Sequence, residues 1–146
     1  MDPRGARGED IAIVGMAVDV PGASDLAAFW NNLRDGIESI VRLDGKTLID
    51  AGEDPAMISQ PNYVPAAAPL ADFDMFDAEF FGFSPKEAAI LDPQHRKFLE
   101  TAWHALENAG HAPEGFAGNI GVYAGCGMGS YFYFNICSNP DMVRAV

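Results

Sequence analysis

The sequence predicts an α/β fold. Two short, almost wholly apolar runs, "IAIVGMAV" at 11–18 and "NIGVYAGC" at 119–126, have the length and character of buried strands. Between them lie segments whose apolar residues recur at the helical period, each with a clear start signal. Strands alternating with helices make a sheet covered by helices.

The first strand is flanked by acids before it and by Pro21-Gly22 after it, and Gly15 inside it implies close approach of a neighbouring backbone. "SDLAAFWNNLRDG", 24–36, follows as an amphipathic helix. Ser24 can cap its start and Gly36 can end it. Leu26, Phe29, Trp30 and Leu33 form one apolar stripe, which is expected to be core. "ESIVRL" suits a short strand, residues 46–51 a helical turn, and "YVPAAAPL" an extended edge segment or loop.

Two further helices start with proline at the first helical position. Ser84-Pro85-Lys86-Glu87 is a capping box, and Asp92-Pro93 starts a second helix that runs to about Ala109, with Gly110 as its stop. Phe98, Ala102, Leu106 and Ala109 lie on one stripe of that helix. The last strand is expected at 119–126. Beyond its glycines the chain shows no clear closing element.

Composition narrows the function. The chain has 146 residues, the size of one domain, and a formal net charge of −12. No cluster of Lys and Arg is present to attract nucleic acid or anionic lipid. No apolar run approaches the roughly 18 residues of a membrane span, and the polar start lacks the apolar region of a secretory signal. Residues 1–9 read as a disordered tail. Two cysteines without such a signal imply a reducing, cytoplasmic setting, with Cys126 and Cys137 as free packing residues. From Thr47 to Pro85 there are acids at 50, 53, 54, 72, 74, 77 and 79 and no base. That stretch is either a solvated face or a surface for a basic partner.

None of the catalytic motifs tested is satisfied. "DFDMFDAE" has Asp77 where a calcium loop beginning at Asp72 needs glycine, and Phe83 where it needs glutamate, so no metal is expected. Phe73, Phe76, Phe80, Phe81 and Phe83 there suggest a compact turn pinned to the core. Gly125, Gly127 and Gly129 follow a strand, but the spacing departs from the dinucleotide pattern and bulky aromatics follow. Cys126 would need a base to act as a nucleophile. His95, His104 and His111 read as surface or helix-end residues.

The combination nevertheless resembles a known family. "DIAIVGMAVDVPGASDLAAFWNNLRDG", "FDAEFFGFSPKEAAILDPQHRKFLETAWHALENAG" and "GNIGVYAGCGMGSYF" are similar, in that order, to the opening of β-ketoacyl synthase (ketosynthase) domains of modular type I polyketide synthases. These are thiolase-like condensing enzymes. The resemblance implies that residues 10–146 are the N-terminal portion of such a domain. The intact domain would join an acyl group to a malonyl-type extender by decarboxylative Claisen condensation. Both substrates would arrive on the phosphopantetheine of an acyl carrier protein, and no other cofactor is implied. It also implies a homodimer when intact and the rest of the ketosynthase and synthase as partners.

The family's nucleophile stands in a T-A-C-S-S type stretch further along, with two histidines beyond it. Neither Cys126 nor Cys137 matches that cysteine, and no histidine here matches a catalytic one, so the resemblance implies no catalytic residue in this chain and an inert fragment. What it does carry over is Met128, at the acyl pocket near the dimer contact, although core packing alone would also suit a methionine there. Tyr131, Phe132, Tyr133 and Phe134 would lie at the dimer interface or pocket entrance. A non-catalytic carrier-protein or partner interaction module built on the ketosynthase start is the alternative. A nucleotide-binding domain at Gly125–Gly129 is a weaker one. A fragment of a two-half thiolase fold is also expected to expose the apolar face meant for its missing neighbour.

Overall fold

The computed structural model describes residues 11–127 and 129–145, so the tail expected at 1–9 lies outside the described residues. The chain divides into two compact units, one of residues 18–75 and one that joins residues up to 17 with those from 76 onward.

In the 18–75 unit, a bridge between Val20 and Ala23 closes a tight turn around Gly22, whose φ of 80° is left-handed. The Asn32 side-chain amide donates to the Gly22 carbonyl at 2.8 Å and ties that turn to helix α1, Leu26–Asp35. Asp25, rather than the expected Ser24, caps α1. Its backbone is extended, and its carboxylate accepts the Ala28 N–H at 2.8 Å. Gly36 ends the helix at a φ of 66°. Strand β1, Val41–Arg42, pairs antiparallel with β2, Ala66–Ala67. Between them, Asp44 and Asp54 cap the short helices α2, Gly45–Asp50, and α3, Pro55–Ile58. Ala23 and Leu48 are the buried apolar residues of this unit.

The other unit is organised along helix α5, Pro93–Asn108, which is preceded by α4, Pro85–Ile90. Both start as the sequence predicts. Asp92 caps α5 through the Gln94 N–H at 2.9 Å. Ser84 and Glu87 make the reciprocal pair of bonds of a capping box. The phenylalanine-rich turn before α4 is built from local bonds. Asp77 accepts the Phe80 N–H at 3.0 Å and Phe83 donates to Ala78 at 2.8 Å. Phe76 stacks on Phe81 at 5.2 Å, and Phe80 meets Trp103 of α5 edge-on at 4.8 Å. Such pairs are worth about 1 kcal/mol each beyond the area they bury. Phe73 is the exception to the expected cluster: it belongs to the 18–75 unit and is exposed.

Three further expectations are corrected. First, 11–18 and 119–126 are not buried strands. No ladder forms in either segment, Ile11 is 95% exposed and Tyr123 fully exposed. A strand exists only through its neighbours' hydrogen bonds, and no neighbouring strand lies beside either segment among the described residues. Second, the α1 stripe is only partly core, with Leu26 and Phe29 half-buried but Trp30 and Leu33 exposed. Third, the chain does not trail off after the glycines. Residues 130–136 form helical turns that pass into a π-helical turn, Phe132–Ile136, in which Cys137 donates to the Phe132 carbonyl. Helix α6, Pro140–Ala145, follows, with the Asn139 side chain accepting from Asp141. None of the described helices is long and apolar enough to cross a membrane.

Gly15 does have the close approach expected of it. A Cβ there would fall 2.6 Å from the Ala105 carbonyl oxygen and 2.7 Å from the Ala109 Cβ. Gly15→Ala is therefore expected to destabilise this unit by about 1–3 kcal/mol through overpacking. An unchanged urea midpoint by circular dichroism would contradict this.

Ser84→Ala should weaken α4 by about 1 kcal/mol through loss of its cap. The Glu87 carboxyl, which accepts the Ser84 N–H, is held below its ordinary 4.5 by that bond. Its contribution is thus complete above the ordinary value and disappears as pH falls through the lower folded value. Glu87→Gln should flatten that part of the stability–pH curve, a difference that acid titration followed by circular dichroism can read.

The exposed apolar side chains of Ile11, Ile13, Val122 and Tyr123 should drive concentration-dependent association of the chain. Light scattering coupled to gel filtration checks this; a monomer at every concentration with a sharp two-state melt would contradict it.

Candidate functional site

The glycine segment and the aromatics after it meet the junction of α4 and α5. The first turn of α5 is fixed by Asp92 and Pro93, so Gln94 stands at a defined place near its start. From there the Gln94 side-chain oxygen accepts the Gly127 N–H at 2.9 Å. Glycine suits that place, because a Cβ on residue 127 would fall 3.1 Å from the same oxygen. At the end of α4, the Ala89 carbonyl accepts the Tyr131 hydroxyl at 2.7 Å. The Arg96 guanidinium, one turn into α5, lies over the Tyr131 ring at 6.0 Å from its centre, within the range of a cation–π contact. The Arg96 Nε is buried without a hydrogen-bond partner.

Beyond Tyr131, the π-helical turn and α6 form an apolar cleft of about 320 Å³ with α4. Ile90, Phe132, Ile136, Cys137 and Val143 line it. Ile136 is buried at its base.

The residues expected to face a pocket or a dimer contact thus separate. Tyr131 is half-buried and tied to α4 and α5. Phe132 packs edge-on against Tyr133 at 5.5 Å and borders the cleft. Tyr133 and Phe134 are exposed, the latter by 77%. Met128 lies outside the described residues. Gln94, Arg96 and Ala89 were missed by sequence reasoning. Gln94 and Arg96 stand on a helix face that reads simply as polar, and the Ala89 contact is made by its backbone.

Cys126, expected as a small buried residue, is exposed, because the strand that would cover it is unpaired. Cys137 is also exposed by residue, although it borders the apolar cleft. Among the described residues no hydrogen bond joins either thiol to His95, His104 or His111. His95 and His104 are exposed on α5, and His111 packs on Phe116 at 5.3 Å just past the helix. Gly125 and Gly129 have open space around them, and the helical turns that follow begin with Ser130 and Tyr131. The aromatics enter a helical segment that is short and passes into the π turn.

A second cleft, of about 380 Å³, lies between the phenylalanine-rich turn and α5. Phe80, Phe81 and Trp103 wall it, with Asp77, Glu100, His104 and Glu107 at its edges. Glu100 is already paired with Lys97 at 3.0 Å, and Asp77 serves the turn itself.

Comparison with known proteins gives these features a family. The model for "Beta-ketoacyl synthase, N-terminal domain" matches residues 8–145. A phenolphthiocerol/phthiocerol polyketide synthase of Mycobacterium tuberculosis is 52% identical over 131 residues, covering 90% of this chain and 9% of that protein. Polyketide synthase PksM of Bacillus subtilis is 38% identical over 133 residues, covering 81% of this chain and 3% of that one. The chain thus spans less than a tenth of the length of these relatives.

Among solved structures, ketosynthase twelve of the bacillaene polyketide synthase of Bacillus amyloliquefaciens aligns with a TM-score of 0.59 and 43% identity, over 66% of this chain and 17% of that one. The module 6 ketosynthase of the bacillaene synthase of Bacillus subtilis aligns with a TM-score of 0.56 and 34% identity, over 69% of this chain and 17% of that one. The fold is accordingly that of the thiolase-like ketosynthases, and the chain belongs to the β-ketoacyl synthase family, matching its N-terminal domain.

Proposed function

We propose that this chain is the N-terminal segment of a polyketide ketosynthase and contributes acyl-pocket and dimer-contact surface to a catalytic centre completed by other residues. The observation that carries this reading is the match of residues 8–145 to the family's N-terminal domain, with relatives named as polyketide synthases. In the intact domain a cysteine thiolate attacks the acyl thioester. The acyl–cysteine bond forms and the carrier's thiol departs. A malonyl-type thioester on a carrier protein then loses carbon dioxide. Its α-carbon, as the enolate, attacks the acyl carbonyl, a carbon–carbon bond forms and the cysteine thiolate leaves. Donors aimed at the two oxyanions stabilise the developing charge.

Neither Cys126 nor Cys137 is the nucleophile in this reading, since neither stands in a T-A-C-S-S type stretch and, among the described residues, no hydrogen bond joins either thiol to a histidine. Position 128 and the aromatics from Tyr131 to Phe134 belong to the acyl pocket and dimer contact. The acyl carrier protein, a homodimeric ketosynthase and a cytoplasmic location form part of the same proposal.

Intact-mass spectrometry after incubation with an acyl thioester tests it. The 146-residue chain is expected to gain no acyl group, whereas a complete ketosynthase carrying this segment should gain one. A saturable adduct on Cys126 or Cys137 would overturn the assignment.

A further inference from the structure

The acyl-pocket reading leaves open what holds the pocket segment in place. Gly127 and Tyr131 flank Met128 in sequence, and each is held by a side-chain hydrogen bond across a long stretch of chain. Gln94 accepts from Gly127 at 2.9 Å, and Tyr131 donates to Ala89 at 2.7 Å. Gly127 makes no other hydrogen bond among the described residues, and the segment from 119 to 126 has no ladder to hold it. The Gln94 oxygen also limits the space beside residue 127. Arg96 adds a contact to the Tyr131 anchor through its ring. The partner groups on Gln94, Ala89 and Arg96 all come from the α4–α5 junction, whose position is set by two caps and two prolines.

We propose that Gln94 and Tyr131 are positioning residues that set the path of the pocket segment from the α4–α5 junction, and so tune which acyl chains the enzyme accepts. The inference rests on the acyl-pocket reading above. Gln94 needs only its acceptor oxygen for this. Tyr131 needs its hydroxyl, while its ring keeps the Arg96 contact. Neither touches the reacting atoms, so each acts on acyl binding and not on bond making.

The test uses a complete ketosynthase carrying this segment, with acyl loading measured for a short and a long acyl thioester. Gln94→Leu removes the acceptor, and Gln94→Glu keeps one. Tyr131→Phe removes the other anchor while leaving the ring. A lost hydrogen bond of this kind translates to about a tenfold change in an equilibrium. Gln94→Leu and Tyr131→Phe are therefore expected to raise KM about tenfold for the long acyl donor and less for the short one, with kcat within about twofold. Gln94→Glu is expected to restore KM. Normal loading with unchanged KM in Gln94→Leu and Tyr131→Phe would overturn the inference alone. An equal loss of kcat for both donors, without rescue by Gln94→Glu, would also overturn it, as that is the mark of a merely structural role. No loading by the unsubstituted enzyme would instead overturn the acyl-pocket reading, and the inference with it.

Discussion

Helix α5 takes contacts along its whole length, and the rest of its unit depends on them. Its last turns meet the backbone at Gly15 so closely that a Cβ has no room, and Asn108 accepts the Met16 N–H at 3.0 Å. Its middle carries Trp103, against which Phe80 brings the phenylalanine-rich turn. Its first turn holds the glycine segment through Gln94 and Tyr131 through Arg96. A helix can serve three separate segments in this way only if its start and rotation are fixed. Asp92 and Pro93 do that: the proline cannot continue the preceding helix, and the aspartate satisfies an N–H that would otherwise be orphaned.

The unit lacks what a sheet would add. Backbone N–H and C=O groups at 11–17 and 119–126 are left without ladder partners, and the apolar side chains that would face helices on either side face outward. The buried apolar residues of this unit are correspondingly few among the described residues: Ala88 and Ile136. Local devices therefore carry much of the order. Caps, tight turns, aromatic pairs and the close glycine contact need few residues each and do not require the sheet.

Helices were the most legible part of the chain because their signals are local. The capping box at Ser84, the Asp92-Pro93 start and the left-handed stops at Gly36 and Gly110 are each written within a few residues. Asn139-Pro140 is the same kind of signal, and α6 could have been read from it. Ser24 and Asp25 are equally good caps by residue type, and only the chain's direction into the helix selects Asp25. The contacts of Gln94 and Arg96 were not legible, since a glutamine or arginine on a polar helix face looks the same with or without a distant partner.

By itself, then, the sequence determined helices α1, α4 and α5, the starts of the last two and, through three ordered segments, membership of the β-ketoacyl synthase family. Those properties depend on short-range bonding and on residue identity. Only the tertiary structure decided that the two apolar runs stay unpaired, that Cys126 is exposed and that Gly127 and Tyr131 are anchored to the α4–α5 junction. The physical reason is common to all three. A strand, a burial and a long-range hydrogen bond each require a second group brought from elsewhere in the chain, and a residue's own neighbours in sequence do not say whether that group arrives.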